Sequence, residues 1–108
     1  MVDAIQVVVT AGSKNEAERI GRAAVGARAA ACAQISGPIT SLFWWKNALD
    51  EVEEWYCVLK TTRDRFADVE AVVRKTHSYE VPEILAVPVT EGTRDYLAWL
   101  EGELGTGT

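Results

Sequence analysis

Ala31-Cys32-Ala33-Gln34-Ile35-Ser36-Gly37-Pro38-Ile39-Thr40-Ser41-Leu42-Phe43-Trp44-Trp45, then Lys46-Asn47-Ala48-Leu49-Asp50, then the run from Val52 to Thr62: this stretch decides the fold. Its outer parts are rich in β-branched and aromatic residues, and its middle is a polar turn, so it reads as one long β-hairpin. Two arms of about ten or more residues, at ~3.3 Å per residue, reach further than any neighbouring strand of ordinary length.

Working outward, Ile5-Gln6-Val7-Val8-Val9-Thr10 is a short, nearly all-apolar run that suits a central strand. Gly12 and Ser13 end it, and Ser13-Lys14-Asn15-Glu16 has the form of a capping box. Ala17, Ile20, Ala24, Val25 and Ala31 recur at helical spacing and predict a first helix to about Ala30. Beyond the hairpin, Phe66, Val69, Val72 and Val73 mark a helix over about 64–76. Ile84 to Val89 makes a fourth strand, and Tyr96, Leu97, Leu100 and Leu104 form the stripe of a terminal helix capped by Thr93.

The order β-α-β-β-α-β with a trailing helix gives an α+β fold, a ferredoxin-like four-stranded antiparallel sheet with both crossover helices on one face. Strands one and three are central in that arrangement. Strands two and four are the edges, and they carry the internal prolines, Pro38 and Pro88, which a ladder tolerates only at edges or bulges. Residues 1–104 read as a single domain and 105–108 (Gly-Thr-Gly-Thr) as a disordered tail.

Of 108 residues, 48% are hydrophobic, enough for a core that needs no disulfide or metal staple. A formal charge of -5 opposes binding to phosphate backbones and anionic lipid, so neither nucleic acid nor a membrane is an expected partner. No apolar run reaches the ~20 residues a membrane helix needs. Cys32 and Cys57 lie on the two hairpin arms, not opposite one another, so free thiols and a cytoplasmic location are expected. Gly-rich phosphate loops, G-x-S-x-G and paired metal-binding histidines are all missing from the sequence, which points away from an enzyme.

Phe43, Trp44, Trp45, Trp55 and Tyr56 cluster at the overhanging part of the hairpin and point to both faces, so a single chain would leave large rings in water. Self-association follows. The alternative is that the terminal helix, with Trp99 and Leu100, folds back over them. The other informative run is His77-Ser78-Tyr79-Glu80-Val81-Pro82-Glu83-Ile84, where Val81-Pro82 fixes an extended lead into strand four and holds the chain's only histidine in one place. His77 follows a helix and reads either as a cap or as a ligand.

Val8-Val9-Thr10-Ala11, Ala30-Ala31-Cys32, Gly37 to Ser41, Trp44-Trp45-Lys46, Leu59 to Thr62, His77 to Ile84 and Tyr96 to Leu100, in this order, resemble the divalent-cation tolerance proteins called CutA. The resemblance implies a homotrimer, similar to PII-type signalling trimers, joined through edge strands and hairpin, with Phe43, Trp44, Trp45, Trp55, Tyr56 and Pro82 at the interface. It also implies weak binding of Cu2+ or another divalent cation and a role in metal tolerance or response. Of the family's metal contacts only His77 is present, since Val9 and Thr76 stand at the other positions. Cys32 and Glu83 complete the candidate metal set, because one imidazole cannot hold a transition metal alone. Trp45, Lys60, Tyr79 and Glu83 are candidates for a cleft between subunits. The rival expectation is a PII-like signalling or scaffold module that receives a small anion or partner protein in that cleft.

Overall fold

A computed structural model describes residues 2–105. The chain forms β1 (Ala4–Ala11), α1 (Lys14–Gly26), β2 (Cys32–Trp45), β3 (Ala48–Thr62), a 3-10 turn (Arg63–Arg65), α2 (Phe66–Thr76), β4 (Ile84–Pro88) and α3 (Arg94–Leu104). The sheet order is β2-β3-β1-β4 with every pair antiparallel, so β1 and β3 are central and both prolines fall on edge strands, as the sequence predicts. Pro38 sits at the register shift between Ser36 and Ile39, where a bulge makes its missing donor harmless.

One face of β1 makes the core. Ile5, Val7, Val9 and Ala11 are buried there with Leu59 and Cys57 of β3, against Ala17, Ile20 and Ala24 of α1 and Val69 and Val73 of α2. Burying each of the larger side chains contributes about 1.5–3 kcal/mol, so this alternation alone fixes the register of β1. The small residues of α1 let it lie close to the sheet: a Cβ on Gly21 would stand 3.0 Å from the Cβ of Ala33.

Several element ends differ from expectation. Helix α1 stops at Gly26, short of Ala30, because Arg28 adopts φ 58°; the Arg28 amide donates to the Val25 carbonyl and the Ala29 amide to that of Ala24. That is a Schellman close with arginine in the position glycine usually takes. The hairpin turn is only Lys46-Asn47, at φ 49° and 66°, so Ala48 to Asp50 belong to β3 and Trp45 pairs with Ala48. Helix α2 begins at Phe66 after the 3-10 turn. Thr93 occupies the N-cap of α3 but its hydroxyl caps nothing. Of the expected tail, Gly105 closes α3 and accepts from Arg65, and residues 106–108 lie outside the described residues.

The expected overhang is present. β1 pairs with β3 only over Trp55–Thr62, so Ala48–Glu54 has β2 as its sole neighbour in the sheet. On this ribbon Trp44, Leu42 and Leu49 are 72%, 65% and 63% exposed, and Phe43 and Trp45 are also open. Helix α3 does not cover them; Trp99 instead borders a groove with Val25, Cys32, Ala33 and Ile35. Trp55 and Tyr56 differ from the other three, since both pair with β1 at the ribbon's base and are half-buried, Trp55 against the core.

The Trp55 ring lies against Gly37, where a Cβ would meet it at 2.7 Å. Gly37→Ala is therefore expected to lower stability by about 1–3 kcal/mol, the usual result of forced overpacking. Urea denaturation checks this, and an unchanged midpoint would show that Trp55 moves aside freely.

Candidate functional site

The end of β1 is where the predicted segment meets the rest of the molecule. His77 terminates α2: its amide donates to the Val73 carbonyl at 2.8 Å and its backbone turns extended. The ring is fully buried and points back to β1. Nε2–H donates to the Thr10 carbonyl at 2.6 Å, and Nδ1 accepts the Tyr79 amide at 3.1 Å. This pattern assigns the neutral tautomer with its proton on Nε2.

Glu16 stands beside it. Ser13 Oγ accepts the Glu16 amide at 3.1 Å, which is one half of the predicted capping box. The carboxylate takes a different partner: it accepts the Ser78 amide at 2.7 Å and lies 3.6 Å from His77 Nδ1. Burial works to raise its pKa, but hydrogen bonds from Ser78 and from the Gly12 amide hold it below the ordinary value of 4.5. α1 and the segment after α2 are thus fastened through one carboxylate.

A second carboxylate pair borders the same place. Tyr79 Oη donates to Glu54 Oε2 at 2.8 Å; burial, then this bond and the Glu54 charge, push the phenol up to about 12. Glu54 is only 5% exposed. Glu83 is raised by burial and then by the Glu54 charge, against a hydrogen bond from Thr10. His77, Tyr79 and Glu83 therefore converge on the last turn of β1 with Glu16 and Glu54, two residues the sequence reading did not select. Glu54 was hidden in Asp50-Glu51-Val52-Glu53-Glu54, which reads as a solvated run; by period two it shares the face of Val52, Tyr56 and Val58, away from the helices, and its cover comes from Tyr79.

The structure does not bring the three candidate metal ligands together. Both nitrogens of His77 are engaged, so no lone pair is free for an ion. Cys32 pairs with Lys60, in the row of Gln6, roughly 13 Å along the sheet from the Thr10 row. Among the described residues no three His, Cys, Asp or Glu side chains gather as a metal cluster. Cys32 and Cys57 are free, and burial pushes the Cys57 thiol up to about 11, which keeps it from acting as a thiolate.

The four cleft candidates separate within one chain. Trp45 and Tyr79 line a common groove, whereas the Lys60 ammonium lies 5.8 Å from the Tyr96 ring centre at the far end of the sheet. The reason is strand direction: β3 and β4 are both antiparallel to β1, so the end of β3 lies beside the end of β4, away from Tyr79 and Glu83 at its start.

Comparison with known proteins agrees with this architecture. A family profile described as "CutA1 divalent ion tolerance protein" matches residues 5–103. The divalent-cation tolerance protein CutA of Thermus thermophilus is 38% identical over 92% of this chain and 96% of its own length. That of Archaeoglobus fulgidus is 37% identical over 88% and 92%. A solved structure described as the periplasmic divalent cation tolerance protein CutA from Archaeoglobus fulgidus superposes with a TM-score of 0.90 at 35% identity, covering 94% of this chain and 98% of that one.

Because its folded pKa is lowered, Glu16 adds stability above pH about 4.5, and that contribution is lost as pH falls through the folded value. Glu16→Gln is expected to cost about 1.5–3 kcal/mol at pH 7, the range for hydrogen bonds to a charged group. Urea titrations at pH 7 and pH 3 check this; a gap between the two proteins that does not shrink in acid contradicts the assignment.

Proposed function

Since the chain belongs to the CutA1 divalent ion tolerance family, we propose that it serves metal tolerance as a homotrimer that captures copper-class cations weakly, at places completed only between copies. The observation that carries this reading is the bare ribbon. A two-stranded arm with Leu42, Trp44 and Leu49 in water is marginal alone, and an apolar patch of this kind marks an interface.

Two further surfaces support assembly. Val8, Val58, Leu85 and Val87 alternate with core residues and so face away from α1 and α2; Leu85 and Val87 are exposed and Val8 and Val58 half-buried, so much of this second side lies open. Both edges, β2 and β4, are also open. Joining unlike edges is a heterologous contact, which closes only as a ring, and three is the number the resemblance implies.

Cation capture between copies follows from the donor inventory. Copper-class ions need three or four donors, and the described residues of one chain do not assemble them. Glu83 is the donor this chain offers: the residue is exposed, and its carboxyl is held up by partial burial and then by the neighbouring Glu54 charge, the second of which a dication would relieve. His77 keeps the segment in place instead of binding the ion. We read the protein as a binder and not an enzyme, and its two thiols suit a reducing, cytoplasmic setting.

Calorimetric titration of the assembled protein with copper(II) tests this. Micromolar binding is expected, weakened about tenfold or more by Glu83→Gln and retained in folded His77→Ala, since the imidazole has no free nitrogen. Absence of binding, or loss in His77→Ala alone, contradicts the reading.

A further inference from the structure

We draw no further inference here: the strongest candidate, the apolar groove between α1, the open edge of β2 and Trp99 of α3, runs along an edge already given to contact between copies, and nothing in the structure shows what covers it.

Discussion

The mismatch in strand length sets the terms for the rest of this molecule. β3 is a 15-residue strand beside an 8-residue β1, so the sheet can hold only its second half. The remaining ribbon, roughly 20 Å long, has hydrogen bonds to β2 but no layer beneath it. Its apolar side chains follow the same alternation that buries Val7 and Val9 elsewhere, yet here both faces meet water. Inside the sheet each such residue gains hydrophobic energy, and on the ribbon the same gain needs a further surface to cover it.

The end of β1 answers a second constraint. α2 must hand the chain to β4 across the top of β1, and that crossing would leave buried backbone groups without partners. The Thr10 carbonyl takes the His77 ring, the Tyr79 amide takes the other ring nitrogen, and the Ser78 amide takes Glu16. The histidine is consumed by this work. Its neighbour Tyr79, anchored by Glu54, then forms a wall of the groove beneath the ribbon tip, so one set of polar bonds both closes the fold and shapes a surface.

Much of this was legible in the sequence, and the rest fails for definable reasons. Periodicity gave every strand and α-helix, though not the 3-10 turn Arg63–Arg65, and Pro38 and Pro88 gave the edges. The end of α1 was misjudged because Arg28 takes a left-handed conformation that only glycine signals reliably. The turn was read too long because Lys46-Asn47 makes a tight primed turn without glycine. The separation of Lys60 from Tyr79 is a matter of strand direction, and the His77 to Thr10 bond joins residues far apart in sequence, so neither is visible to reading along the chain. Glu54 looked solvated because its carboxylate is judged by composition until Tyr79 is known to lie over it.

The central claim is that the ribbon's apolar faces are covered by other copies of this chain. Sedimentation equilibrium of the purified protein at micromolar concentration measures this without perturbing any residue. A mass of three chains, independent of loading concentration, is the result this account predicts. A single-chain mass that persists as concentration rises would contradict it, because rings as exposed as Trp44 would then be stable in water without a partner.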